Sequence, residues 1–117
     1  MAITIFHNPS CSKSRAAVDA LKRKGEVTHI REYLIATPTL EELKTLQKLL
    51  NLPARAMLRE GELVFKNRFS HIDLNDDEAV LKAITEEPRL LERPILIRGE
   101  KAVIGRPTEN IEKLFSQ

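Results

Sequence analysis

The residue best suited to chemistry in this sequence is its only cysteine, Cys11, which lies in the polar segment 7–15. That segment joins a predicted strand to a predicted helix, so Cys11 falls where helix N–H groups are free and the helix dipole is positive. Such a position lowers the pKa of a thiol and can cradle a tetrahedral oxyanion. The next four residues add hydroxyls and positive charge: Ser12, Lys13, Ser14 and Arg15. We predict an exposed, reactive thiolate, rather than the small buried hydrophobe that a single cysteine often is.

The spacing around Cys11 excludes three common thiol chemistries. A dithiol redox motif needs a second cysteine at position 14, where the chain has Ser14. A cysteine phosphatase loop needs an arginine six residues after the nucleophile, where the chain has Ala17. A structural zinc site needs about four soft ligands, which one cysteine and three scattered histidines do not supply. A second thiol must therefore come from another molecule.

Three arginines are candidates for holding an oxyanion, because a guanidinium donates bidentate hydrogen bonds and keeps its charge. Arg59 follows an apolar turn, and Arg93 and Arg106 each precede a proline at an element boundary. Each alone is typical of a solvated surface arginine. As a set they predict a small-anion site where loops converge.

The elements that must position these residues follow from periodicity and end signals. The sequence predicts strands at 2–6, 27–33, 94–98 and 101–104, helices at 12–24, 40–50, 53–58, 76–86 and 107–115, and irregular surface at 60–71. Thr39 and Glu42 form a capping-box signature before the second helix. The order predicts one α/β domain over 1–117, with a mixed four-stranded sheet. This is the outline of a thioredoxin-like fold with a helical insertion.

Charge and composition exclude several classes of function. The chain has 19 basic and 17 acidic residues, a net charge of +2, with the signs interspersed. A polybasic surface for nucleic acid or membranes is therefore not expected. The N-terminus lacks signal-peptide features, and no apolar run approaches the roughly 20 residues of a membrane span. We expect a reducing, cytoplasmic location, where a free thiol persists.

At this point the sequence resembles the glutaredoxin-dependent arsenate reductases of the ArsC type. The matching pieces are His7-Asn8-Pro9-x-Cys11 with Ser14-Arg15, Leu58-Arg59, Glu92-Arg93-Pro94-Ile95 and Ile104-Gly105-Arg106-Pro107. They occur in the family's order and span the chain. The segment Cys-Ser-Lys-Ser-Arg at 11–15 is most similar to the short YfgD-type branch of the family.

The resemblance implies a function and a set of roles. Cys11 would be the nucleophile, with Arg59, Arg93 and Arg106 holding the oxyanion beside Ser12 and Ser14. Pro94 would be the cis-proline that faces the thiol in this fold. His7 and Arg15 would tune the thiolate, although a histidine bonded to local backbone is an equal alternative for His7.

The implied reaction is the reduction of arsenate to arsenite through a Cys11–arsenate adduct. Glutathione would act as co-substrate and glutaredoxin as protein partner, with no bound cofactor or metal. One departure concerns the substrate: Ser12-Lys13 stands where well-studied reductases have Gly-Thr. Two alternatives stay open, a glutathione-linked thiol oxidoreductase for another substrate and an Spx-like transcriptional regulator. The regulators commonly carry the Cys-x-x-Cys switch that Ser14 removes.

Overall fold

The computed structural model describes residues 2–115, and its sheet has four strands in the order β2-β1-β3-β4. The strands are β1 (Ile3–His7), β2 (Thr28–Glu32), β3 (Ile95–Arg98) and β4 (Lys101–Ile104). β1 runs parallel to β2 and antiparallel to β3, and β3 pairs antiparallel with β4. The prediction of a mixed four-stranded sheet in an α/β, thioredoxin-like fold is confirmed.

The helices account for the rest of the regular structure. They are α1 (Ser12–Arg23), α2 (Leu40–Leu50), α3 (Leu63–Arg68) and α4 (Asp77–Glu86), with 3₁₀ helices at Ala54–Met57, Pro88–Leu90 and Thr108–Phe115. All helices between β1 and β3 other than α1 lie in the segment between β2 and β3, which contains no strand apart from an isolated bridge between Leu58 and Leu91. Within residues 2–115, no helix combines the length and apolar character that crossing a membrane requires.

Two compact units make up the described chain: one contains the residues up to Ala36 and from Arg93 onward, the other Thr37–Glu92. The first unit holds the sheet, α1 and the C-terminal 3₁₀ helix. Its core joins Ile3 and Ile5 of β1 to Leu21 of α1, Leu96 of β3 and Leu114. Apolar residues on one face of α1 and on the central strands thus bury each other. The prediction of a single domain over 1–117 stays a prediction.

The second unit begins with a fully formed capping box. The Thr39 hydroxyl accepts a hydrogen bond from the Glu42 N–H at 3.1 Å, and the Glu42 carboxylate accepts one from the Thr39 N–H at 3.0 Å. These contacts satisfy two amide groups that a helix start leaves without partners. The buried face of α2 is formed by Leu43, Leu46 and Leu50.

The prediction of irregular surface over 60–71 is wrong. The structure places α3 there, with Phe65 buried in the helix and Phe69 buried directly after it. A six-residue helix is too short to show a convincing apolar period, and its first residue, Leu63, is largely exposed. Burial of two phenylalanines, rather than local propensity, therefore accounts for this helix.

Candidate active site

The register of the sheet brings three loops to one edge. Phe6 near the end of β1 pairs with Ile95 at the start of β3, and Ile95 pairs with Ile104 at the end of β4. The segments that follow β1, precede β3 and follow β4 therefore leave the sheet side by side. Those segments carry Cys11, Arg93 and Arg106 respectively.

Cys11 occupies the N-cap position of α1, with extended backbone angles of φ −96° and ψ 121°. Its N–H donates to the Asn8 carbonyl at 3.0 Å, and its carbonyl accepts from the Arg15 N–H at 3.0 Å. The expectation of an exposed thiol is wrong, because only 8% of Cys11 is accessible. The polar loop around a cysteine therefore did not predict its burial.

The environment lowers the pKa of Cys11 below the ordinary value of a thiol. Burial opposes ionisation and is the largest effect, but four others together outweigh it. The backbone N–H groups of Ser14 and Lys13 favour the thiolate, as does the charge of Arg93 and a hydrogen bond from Arg106. These amides act as electrostatic contacts, since the side chain forms no N-cap hydrogen bond of standard geometry.

Arg106 links the thiol to the loop before β3. Its Nη2 donates to Cys11 Sγ at 3.3 Å, and its Nε donates to the Arg93 carbonyl at 2.7 Å. The Gly105 N–H donates to the Pro94 carbonyl at 2.8 Å, which ties the two loops together. The Arg93–Pro94 peptide bond is cis, and so is Arg106–Pro107, which the sequence did not lead us to expect.

Asn110 is a further contributor that sequence reasoning missed. Its Nδ2 donates to the carbonyls of Ile104 and Arg106, both at 3.0 Å. These hydrogen bonds stabilise the backbone turn that contains Arg106. An asparagine within the predicted last helix gives no signal of this role, because the contact depends on how the chain folds back after β4.

Ser14 and His7 form a buried pair beneath the Cys11 loop. Ser14 is completely buried, and its Oγ lies 2.6 Å from His7 Nδ1 and accepts the Asn8 N–H at 3.0 Å. The Ser14 hydroxyl is thus held inside the protein, and the substrate-binding role expected of Ser14 stays a prediction. Burial is the main cause of a lowered pKa at His7, with Arg15 adding to it and Glu32 opposing it.

The remaining loop residues differ in what they touch. The Arg15 guanidinium donates to the Pro9 carbonyl at 2.8 Å and so stabilises the loop. Arg15 is not among the groups that lower the pKa of Cys11. Ser12 and Lys13 are exposed. Oxyanion binding by Ser12 and thiolate tuning by Arg15 stay predictions.

Arg59 belongs to the second unit, where its guanidinium pairs with the Glu62 carboxylate. The backbone N–H of Arg59 donates to the Leu90 carbonyl at 2.8 Å, beside an antiparallel bridge between Leu58 and Leu91. The residue is therefore firmly anchored in its own unit. Its part in binding an oxyanion stays a prediction.

The first unit thus combines a thiol whose pKa is lowered, two guanidinium groups and the amide groups of a helix start. This set favours a negatively charged electrophile, because each cation that stabilises the thiolate can also neutralise an incoming oxyanion. Among residues 2–115, no three histidine, cysteine, aspartate or glutamate side chains cluster so as to hold a metal ion.

Comparison with known proteins gives matches over nearly the whole chain. The family model described as the ArsC family matches residues 6–114. A protein of Neisseria meningitidis serogroup A named arsenate reductase is 45% identical over 114 residues, covering 97% of each chain. The Escherichia coli K12 protein YfgD is 36% identical, covering 93% of this chain and 92% of its own. A solved structure described as an arsenate reductase from Vibrio cholerae superposes with a TM-score of 0.89 at 37% identity, covering 97% of this chain and 98% of that one.

Proposed function

Because this chain belongs to the ArsC family, we propose that it is an arsenate reductase in which Cys11 attacks the arsenic atom. The observation that carries the proposal is the contact between Arg106 Nη2 and Cys11 Sγ, in a site where Arg93 and two amide groups also favour the thiolate. The nucleophile thus lies in contact with one cation and within the electrostatic influence of a second, and both could receive an oxyanion.

In the first step, arsenate binds through its oxygens to the guanidinium groups of Arg93 and Arg106 and to the N–H groups at the start of α1. The Cys11 thiolate forms a sulfur–arsenic bond as an arsenic–oxygen bond breaks, and the oxygen leaves as hydroxide or, once protonated, as water. Arsenic remains As(V) at this stage. Charge neutralisation by the arginines lowers the barrier to attack of one anion on another.

The reducing electrons come from thiols outside the chain. Glutathione displaces a second oxygen from arsenic, which leaves as water, and forms an arsenic–sulfur bond without changing the oxidation state. A thiol of glutaredoxin then attacks the glutathione sulfur, so a sulfur–sulfur bond forms as the bond from that sulfur to arsenic breaks, and the electron pair of the broken bond stays on arsenic. Arsenic becomes As(III) while still bonded to Cys11, glutathione and glutaredoxin are left in a mixed disulfide, and hydrolysis frees arsenite and the Cys11 thiol. The overall change is one arsenate and two thiols converted to one arsenite, one disulfide and water. This route suits a chain with one cysteine.

The test is arsenate-dependent oxidation of NADPH in the presence of glutathione, glutaredoxin and glutathione reductase. We expect turnover with the wild-type protein and none with Cys11→Ser, whose fold is checked by circular dichroism. Omission of glutaredoxin or glutathione should abolish turnover. Full activity of Cys11→Ser would overturn the proposal, and turnover with a different oxyanion but not with arsenate would reassign the substrate.

A further inference from the structure

Lys13 is an exposed cation two residues after Cys11, at the second position of α1. Within residues 2–115, its side chain takes part in no hydrogen bond or ion pair. Other exposed cations of the chain do pair with carboxylates, as Lys44 does with Glu78 and Arg55 with Glu60. The position of Lys13 therefore has no explanation in a contact within the protein.

The charge of Lys13 also lies at the unfavourable end of its helix. The N–H groups of a helix start are partially positive, so carboxylates stabilise the first turn and cations destabilise it. α2 carries Glu41 and Glu42 in its first turn, and the first turn of α4 is likewise acidic. α1 has no acidic residue in its first turn and carries Lys13 and Arg15 there instead. A residue that breaks a local rule which the other helices follow is a candidate for a functional role.

The roles of the neighbouring cations do not extend to Lys13. Arg15 donates to the Pro9 carbonyl and so stabilises the loop. Arg93 and Arg106 lower the pKa of Cys11, whereas Lys13 contributes to that effect only through its backbone N–H. The Lys13 ammonium thus neither holds the loop nor stabilises the thiolate. Its charge acts on molecules that approach Cys11 from solvent.

We propose that Lys13 is a specificity-determining residue that favours anionic over neutral reactants at Cys11, including an external thiol that carries carboxylates. Helix side chains lean toward the N-terminus, and the lysine stem is flexible, so the ammonium can follow a reactant at the start of α1. Attraction at this range needs no fixed contact. The inference rests on the proposed function for the order of events, in which an oxyanion and then a thiol reach Cys11.

The first test compares two alkylating reagents of similar size, the anion iodoacetate and neutral iodoacetamide, followed by intact mass. Both reagents consume the same thiolate, so the ratio of their rates does not depend on the pKa of Cys11, which the pH midpoint of iodoacetamide alkylation reports separately. We expect Lys13→Gln to lower the iodoacetate-to-iodoacetamide ratio roughly 3-fold at low salt, the effect of one charge on another about 7 Å away in water. Lys13→Glu, which changes the charge by two, should lower it roughly 7-fold.

Two variants and one change of salt serve as controls. Lys13→Arg keeps the charge and should keep the wild-type ratio, as should Lys22→Gln, an equal loss of charge at an exposed position in the last turn of α1. At 1 M salt, where the screening length is about 3 Å, the wild-type ratio should fall to that of Lys13→Gln. An unchanged ratio in Lys13→Gln would overturn the inference, and so would an equal fall in Lys22→Gln.

The second test replaces the alkylating reagents with thiols. Cys11 is first converted to a mixed disulfide with 2,2′-dithiodipyridine. An incoming thiol then forms a sulfur–sulfur bond to Cys11 and releases 2-thiopyridone, whose absorbance gives the rate. Glutathione is compared with its diethyl ester, in which both carboxylates are neutralised, and the ratio of the two rates should fall in Lys13→Gln but not in Lys22→Gln. An unchanged ratio in Lys13→Gln would overturn the inference. Neither test uses arsenate, so a failure here is distinguishable from a failure of the proposed reaction.

Discussion

At the scale of the residue, the notable feature of Cys11 is that burial and charge act on it in opposite directions. Burial alone would raise the pKa of the thiol, and the helix amides, Arg93 and Arg106 together lower it below the ordinary value of a thiol. A thiolate that is largely covered and held by cations is reactive toward small anions that the same cations attract. The pKa of Cys11 is therefore a property of several residues, each of which can be removed separately.

Removing the Arg106 guanidinium should raise the pKa of Cys11, because its Nη2 donates directly to Sγ. We expect Arg106→Gln to raise the alkylation midpoint by roughly 1 unit, the size of a charge-assisted hydrogen bond. Arg23→Gln, an equal loss of charge in the last turn of α1, is the control and should leave the midpoint in place. Equal shifts in both variants would mean that the net charge of the protein, and not the contact with Arg106, lowers the pKa of Cys11.

Small oxyanions should protect Cys11 from alkylation, since they compete for the cations beside the thiol. We expect arsenate, phosphate or sulfate at millimolar concentration to slow iodoacetamide, and Arg93→Ala to weaken this protection about 10-fold, as expected when one charged hydrogen-bonding partner is lost. Arg89 is an exposed arginine of the second unit, and in Arg89→Ala we expect the anions to protect Cys11 as well as they do in the wild-type protein. Absence of protection in the wild-type protein would contradict the oxyanion site and favour a regulator.

At the scale of the element, two loops that meet at one edge of the sheet are joined by a close approach of backbone. A Cβ atom on Gly105 would lie 2.9 Å from Pro94 Cγ and 3.0 Å from Leu96 Cδ1. These atoms belong to a buried proline and a buried core residue, so neither can move away freely. Glycine is therefore required here for space, and the approach keeps Arg106 and Arg93 on adjoining segments.

We expect Gly105→Ala to destabilise the protein by about 1–3 kcal/mol, the usual effect of overpacking a core. Urea unfolding followed by circular dichroism measures this change. Gly61→Ala is the matched control, because a Cβ there would meet nothing within 4 Å, and it should change stability by less than about 0.5 kcal/mol. A neutral Gly105→Ala variant would show that the Pro94 loop moves readily.

Elements with local signals could be predicted from the sequence, and elements formed by packing could not. The capping box is formed by Thr39 and Glu42, which lie three positions apart in the sequence, and the structure contains it. The burial of Phe65 has no such local signal, and α3 was missed. The same distinction holds at the site: a cysteine at a helix start was predictable, whereas its burial and the internal bonding of Ser14 depend on the folded chain.

At the scale of the whole molecule, the stability should depend on pH through the same groups that form the site. The pKa of His7 is lowered on folding, so the unfolded chain binds its proton first as the pH falls below about 6.5. The pKa of Cys11 is also lowered, so its contribution is complete only above the pKa of the unfolded thiol and is lost as pH falls through the folded value. Both groups make stability rise with pH.

The free energy of unfolding should therefore fall between pH 6.5 and pH 5, with a slope from His7 of at most about 1.4 kcal/mol per pH unit. Urea titrations at several pH values measure it. His7→Asn should flatten this slope because asparagine does not titrate, whereas His29→Asn on the exposed face of β2 should retain it. An unchanged slope in His7→Asn would mean that other groups account for the acid sensitivity.

Because the chain has one cysteine and only 8% of it is accessible, the rate at which reagents label Cys11 reports how open the site is. Any thiol reagent can add at most one label, so the mass of the intact chain counts events at this residue alone. Labelling rates can be compared for reagents of increasing size, from iodoacetamide to a bulky fluorescent maleimide. The ratio of these rates would show how large a molecule can reach Cys11. The same single label would provide a fluorophore for testing whether glutaredoxin binds this protein.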